Sequence, residues 1–140
     1  EEAALKALAG GLGLGDRVRF AGYVGDRQAV YGAIDLLLLT SRYEGTPMVL
    51  LEAMAAAVPI CATGVDGTAE ILTSGETALL FPPGDPQAAA AAVFQMQNPA
   101  VAEKLSCAAR VRVQGSFSAK SLCGRLEDLY RESLRAEPNG

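Results

Sequence analysis

The amino-acid sequence predicts an α/β domain with a mostly parallel sheet flanked by helices, and three observations carry that prediction. The run Asp35-Leu36-Leu37-Leu38-Leu39-Thr40 is apolar without alternation. Such runs belong to strands covered on both faces, the pattern of a parallel sheet between helices. Strand-like segments alternate along the chain with helical ones, the order of an α/β domain. Three helix starts pair a capping residue with a proline: Thr46-Pro47, Asp85-Pro86 and Asn98-Pro99. A side-chain acceptor followed by a residue with no N–H is a good beginning for a helix.

The elements follow in order. Residues 1–9 are Ala-rich, with Leu5 and Leu8 at helical spacing, and the glycine-rich run from Gly10 to Gly15 ends that helix. Residues 18–20 read as a short strand with Val18 and Phe20 on one face. Asp26 caps a helix to about Ala33 that buries Val30 and Ile34. After the Leu36–Leu39 strand, residues 41–46 form a loop. A helix capped by Thr46 then runs from Pro47 through Glu52, Met54 and Ala57, stopping before Pro59. Strands at residues 60–63 and 78–81 enclose a short helix near 69–72, and Pro82-Pro83-Gly84-Asp85 closes the second of them. Helices from Asp85 to about Gln97 and from Asn98 to near Gly115 follow. A last helix spans residues 118–136, with Leu122, Leu126, Leu129 and Tyr130 on one stripe. The tail from Glu137 to Gly140 is expected to fray. No linker or repeat divides the chain, so residues 1–140 read as one domain.

Composition limits the function. Half the residues are apolar, enough for a sizeable core, and the net charge is −4. A nucleic-acid-binding domain usually carries a basic face, so that class is disfavoured. There is no His, which removes Ser-His-Asp and Cys-His catalysis and imidazole metal sites. The three cysteines, Cys61, Cys107 and Cys123, are too scattered for a disulfide framework or a zinc site and read as buried, reduced thiols. The N-terminus is acidic and does not look like a signal peptide, and the longest apolar run is too short to span a bilayer. The expected setting is cytoplasmic, with peripheral contact at the inner face of a membrane left open.

The chemistry gathers at Glu44-Gly45-Thr46-Pro47-Met48-Val49-Leu50-Leu51-Glu52. In open α/β sheets ligands bind at the carboxyl ends of strands, where this loop lies. The helix behind it offers free N–H groups, at Met48, Val49 and Leu50, and a partial positive charge. That is a plausible diphosphate site. Glu44 before the helix and Glu52 about one turn inside it would repel phosphate, but each could accept hydrogen bonds from hydroxyl groups on either side. Two readings compete from spacing alone. Glu near a helix N-terminus is stabilising without any function, and two carboxylates could be a hydrolase pair.

A resemblance adds weight to the diphosphate-site reading. Phe20-Ala21-Gly22, Ala33-Ile34-Asp35, Ser41 with Glu44-Gly45, Leu51-Glu52-Ala53-Met54-Ala55, Pro59-Ile60, Gly67 with Glu70, and Leu79-Leu80-Phe81-Pro82 occur in an order and spacing similar to the donor-binding, C-terminal domain of glycosyltransferase family 4. The likeness covers nearly the whole chain. It implies the GT-B architecture of two facing Rossmann-like domains, and a retaining transfer of a hexose-type sugar from a UDP- or GDP-sugar to a glycan, lipid or small-molecule acceptor. By the same resemblance Glu44 touches the donor sugar as the catalytic-site carboxylate. Glu52 binds the ribose hydroxyls. The backbone of Gly45, Thr46, Pro47, Met48, Val49 and Leu50 holds sugar and diphosphate, and Gly22-Tyr23-Val24 passes near the nucleobase. No metal or other cofactor is implied.

Several positions depart from the family pattern. Ala57, Asp66 and Ala78 stand where glycines are usual, so local backbone geometry is expected to shift. The chain also starts after the strand–helix unit whose Arg and Lys neutralise the diphosphate, and after the acceptor-binding N-terminal domain. The expectation is a sheet with a gap and an isolated chain without activity. Two alternatives stay open: a non-catalytic binding or scaffold module built from such a domain, and a nucleotide-sugar 2-epimerase, whose pattern lacks the Glu-Gly-x-Pro-x-x-x-x-Glu-Ala-Met context.

Overall fold

The computed structural model describes residues 1–135; the expected fraying from residue 137 lies outside the described residues. The chain divides into two compact units, Glu1–Val30 and the remainder from Tyr31. The division falls inside a helix, where no linker-like composition marks it.

In the first unit, helix α1 (Glu2–Gly11) is followed by a single 3-10 turn at Gly15–Arg17. Leu5, Leu8, Ala9, Leu12, Leu14, Val18 and Phe20 line one open apolar cleft. Val18 and Phe20 therefore share a face, as the alternation predicts. They do not form the predicted strand. Extended backbone becomes a strand only when a neighbour takes its ladder hydrogen bonds, and residues 18–20 have no such neighbour among the described residues. Helix α2 (Arg27–Gly32) crosses the division between the units. Asp26 caps it as expected, its carboxylate accepting from the Ala29 N–H at 3.1 Å.

The second unit holds the sheet: β1 (Leu37–Leu39), β2 (Ile60–Thr63) and β3 (Leu79–Phe81), parallel and in the order β1-β2-β3. Leu38 pairs with Cys61, and Ala62 with Leu80. Helices α3 (Met48–Ala55), α4 (Asp66–Ile71), α5 (Pro86–Met96), α6 (Pro99–Ser116) and α7 (Ala119–Arg135) surround or follow it. Only the central strand β2 is buried at every position. Its side chains alternate between two cores. Ile60 and Ala62 join Leu50, Ala53, Met54, Ile71, Leu72, Ala109 and Val113, while Cys61 joins Leu79, Phe81, Ala92, Met96 and Leu105. Burying a Leu, Ile or Met in this way contributes about 1.5–3 kcal/mol per side chain. The unbroken leucine run of β1 predicts cover on both faces, but Leu38 is 45% exposed. The edge position of β1 explains this.

Helix ends test the capping chemistry. Asp85 accepts from the N–H groups of Gln87 and Ala88, and Asn98 from that of Ala100, at 2.9–3.1 Å. Thr46 does not cap α3. Pro47 occupies the cap position itself with extended backbone, and the Leu50 N–H turns back onto the Pro47 carbonyl at 3.0 Å. α3 ends at Ala55, and Ala57 beyond it has φ +55°. The chain thus makes a left-handed turn with Ala at a position where that conformation favours glycine. The Val58 N–H closes that turn on the Ala53 carbonyl at 2.9 Å.

The Leu122, Leu126, Leu129 and Tyr130 stripe of α7 is amphipathic as predicted, and all four residues are exposed. One further expectation is corrected. Of the thiols, only Cys61 is buried, and Cys107 and Cys123 are exposed. Cys107 falls outside the buried stripe of α6, which runs through Leu105, Ala109 and Val113.

Candidate functional site

The loop 41–46 leaves the carboxyl end of β1 and delivers the chain to α3. Each end is set by burial. Leu37 and Leu39 pack against the same core as Leu50 and Met54 of α3, so strand and helix are fixed together. Between these anchors the loop is held by its neighbours. The Thr63 hydroxyl, at the end of β2, donates to the Ser41 carbonyl at 2.6 Å. The Gly67 N–H, in the first turn of α4, donates to the Glu44 carbonyl at 3.2 Å.

Glu44 is half-buried at the end of this loop, and Glu52 is half-buried on α3. Glu52 is the fifth residue of that helix, just over one turn in, as its spacing predicts. Its carboxylate accepts from the Tyr31 hydroxyl at 2.9 Å. That hydroxyl also lies 3.4 Å from the Val49 carbonyl. A phenol has one proton, and the shorter contact is the stronger hydrogen bond. Tyr31 thus orients Glu52, and its ring packs against the core beside Val49 and Leu51.

The α3 N-terminus lies between Glu44 and Glu52 along the chain. Of the three N–H groups the sequence offers to an anion, that of Leu50 is taken by Pro47. Those of Met48 and Val49 remain, with the positive end of the helix dipole behind them. Met48 is 59% exposed, whereas Leu50 is fully buried. Gly45 and Thr46 are exposed on the approach and Pro47 is buried beneath them. This arrangement suits a ligand with an anionic centre and hydroxyl groups on either side of it.

Gly22, Tyr23 and Val24 belong to the first unit. Gly22 has φ +65°, a conformation favouring glycine. Tyr23 is 96% exposed, which leaves a ring face for stacking. The structure brings Glu44 to Glu52 together on one loop and helix; this second segment is described only within its own unit.

Sequence reasoning gives no role to Tyr31 or Thr63. Their partners lie 21 and 22 residues away, beyond the reach of any local pattern. Gly67 does stand among the family's marks, without a stated reason. No three His, Cys, Asp or Glu side chains converge as a metal-ligand set among the described residues. No helix among them is long and apolar enough to cross a membrane.

Comparison with known proteins identifies the family. The family model for glycosyl transferases group 1 matches residues 1–98. N-acetyl-alpha-D-glucosaminyl L-malate synthase from Bacillus anthracis is 32% identical over 126 residues, covering 89% of this chain and 33% of that protein. Sucrose-phosphate synthase from Thermosynechococcus elongatus superposes with a TM-score of 0.82 at 34% identity, over 95% of this chain and 34% of that one. HepE from Anabaena, in complex with UDP-glucose, superposes with a TM-score of 0.76 at 27% identity, over 80% of this chain and 32% of that one. The chain spans about a third of the length of these relatives. With its parallel α/β fold and a family match over well more than half its length, the chain belongs to the glycosyl transferases group 1 family.

Proposed function

We propose that this chain supplies the donor-binding part of a retaining glycosyltransferase that moves a hexose-type sugar from a UDP- or GDP-sugar to a glycan, lipid or small-molecule acceptor. The observation that carries the reading is a pair of half-buried glutamates, one in the loop before α3 and one just over a turn inside it, the second oriented by Tyr31. Glu52 accepts hydrogen bonds from the ribose hydroxyls. The N–H groups of Met48 and Val49, with the backbone of Gly45 to Pro47, receive the diphosphate and the near side of the sugar. Glu44 meets the sugar hydroxyls, and Gly22, Tyr23 and Val24 meet the base. The HepE complex with UDP-glucose supports a nucleotide-sugar as the donor class.

The chemistry asked of these groups is modest. As the bond from the anomeric carbon to the diphosphate breaks, negative charge collects on the leaving oxygen, a new bond to the acceptor hydroxyl oxygen forms on the same face, and the hydroxyl proton passes to the departing diphosphate. Fixed N–H groups aimed at that oxygen stabilise the developing charge. Carboxylates on the hydroxyls hold the sugar in the reacting position. The acceptor site and cations that would neutralise the diphosphate are assigned to the rest of the enzyme, in the cytoplasm and at a membrane face where the acceptor is a lipid.

Nucleotide titration tests the reading. UDP and GDP are titrated separately into the protein and into its Glu52→Ala variant. The variant should bind the preferred nucleotide about ten- to a hundredfold more weakly, through loss of charge-assisted hydrogen bonds worth about 1.5–3 kcal/mol. Unchanged affinity would remove Glu52 from the ribose role.

A further inference from the structure

Beyond the residues that touch a ligand, we infer that Thr63 and Gly67 are positioning residues that clamp the Glu44 loop by its backbone and so set where the Glu44 carboxylate stands. The inference rests on the donor-site reading for its functional meaning, and on geometry alone for the clamp itself.

Two points of the loop are held from one neighbouring segment. Thr63 ends β2, the most buried strand, and is 1% exposed. Its hydroxyl donates to the Ser41 carbonyl at 2.6 Å, so water has little access to replace that bond. Four residues on, the Gly67 N–H donates to the Glu44 carbonyl at 3.2 Å. Gly67 is also where the two segments come closest. A Cβ there would overlap the Gly45 carbonyl and lie 2.6 Å from the Glu44 carbonyl oxygen. Those are backbone atoms, which cannot swing aside as a flexible side chain would. Conformational freedom is not the reason for glycine here, because Gly67 does not have positive φ. The reason is close approach.

The clamping segment is itself rigid. The Gly64 N–H donates to the Phe81 carbonyl and the Val65 N–H to the Thr63 carbonyl, both at 2.9 Å. Thr68 and Ile71 of α4 are buried, which fixes that helix against the core. The loop is thus read off the sheet rather than left to find its own conformation. A catalytic carboxylate displaced by about 1 Å loses much of its value, so a scaffold of this kind has a functional use.

The test uses Thr63→Val, which keeps the shape and removes the donor, Thr63→Ser, which restores it, and Gly67→Ala. Affinity for UDP alone is compared with affinity for UDP-glucose, the extra affinity being the part that depends on the sugar. Thr63→Val should leave UDP affinity in place and reduce the UDP-glucose-to-UDP ratio by about three- to tenfold, the loss expected for one buried hydrogen bond. Thr63→Ser should recover the ratio, and Gly67→Ala should reduce it at least as far as Thr63→Val. A ratio unchanged in Thr63→Val and Gly67→Ala, or a Thr63→Ser variant as poor as Thr63→Val, overturns the inference. Amide hydrogen exchange at Gly67 gives a reading without ligand: strong protection in the native protein that falls in Thr63→Val supports the clamp. Exchange at the rate of an exposed loop amide refutes it. Failure of the native protein to bind any nucleotide would count against the donor-site reading and leave the exchange result to decide the clamp.

Discussion

Two segments with comparable standing in the sequence are built very differently. The loop 41–46 is tied to Thr63 and Gly67 and runs into a helix whose inner face is core. The segment Gly22-Tyr23-Val24 follows residues that pair with no strand among the described residues, and all three of its residues are exposed. Both are carried by motif likeness to the family's donor site. The difference teaches that a motif states which residues meet a ligand, whereas the packing behind it states how firmly they are held before the ligand arrives. On the proposed reading, the sugar and diphosphate meet a loop already tied down by its neighbours. The segment proposed to meet the base is instead exposed at all three residues.

The sharpest way to break this contrast is to substitute the same residue type on both sides of it. Gly67→Ala forces a Cβ into the backbone of the Glu44 loop and should cost about 1–3 kcal/mol of stability, the range for overpacking a tight contact. Urea unfolding would measure it. Gly22→Ala meets no atom within 4 Å and is disfavoured only by its φ of +65°. Its cost should be smaller, about 1 kcal/mol, the lower end of the left-handed penalty for an L side chain. Equal effects would mean that the two segments are equally constrained. Ala57→Gly sharpens the point from the opposite direction. Ala57 already sits at φ +55°, so restoring glycine should stabilise the protein, by roughly 0.5–1 kcal/mol after the entropy that glycine adds to the unfolded chain.

A pH effect separates core from surface. Burial pushes the Cys61 thiol up to about 11 from 9.0. The unfolded chain therefore loses that proton first, and the group's contribution to stability falls as pH rises from 9.0 to about 11. Urea midpoints across that window should drop less steeply in Cys61→Ala than in the native protein. A thiol reagent should label Cys107 and Cys123 readily and Cys61 only on unfolding, since ionisation and access both limit the buried group.

What was legible in the sequence follows the range of the interactions. Asp26, Asp85 and Asn98 cap their helices through bonds that reach only two or three residues, so a short stretch of sequence specifies them. The alternation of strands and helices was legible for the same reason. Residues 18–20 were not, because a strand exists only with its partner. The Thr46 cap failed because Pro47 took the cap position and its carbonyl closed the first turn on Leu50. In the candidate site, Glu44 and Glu52 could be picked out by their spacing about a helix start. Tyr31, Thr63 and the reason for Gly67 could not, since each acts across a turn of the fold, on atoms that no local period brings near. The exposed stripe of α7 was legible as a pattern but not in its partner, for a period shows which side of a helix is apolar and not what covers it.

The most direct test of the central claim asks what Glu52 recognises. The preferred nucleoside diphosphate and its 2′,3′-dideoxyribose analogue are titrated into the native protein and into Glu52→Ala. The native protein should favour the natural ribose by about tenfold or more, as for charge-assisted hydrogen bonds to its hydroxyls, and the variant should lose most of that preference. A native preference that survives unchanged in Glu52→Ala, or no preference in the native protein, would contradict the assignment of this helix to the ribose end of a nucleotide-sugar.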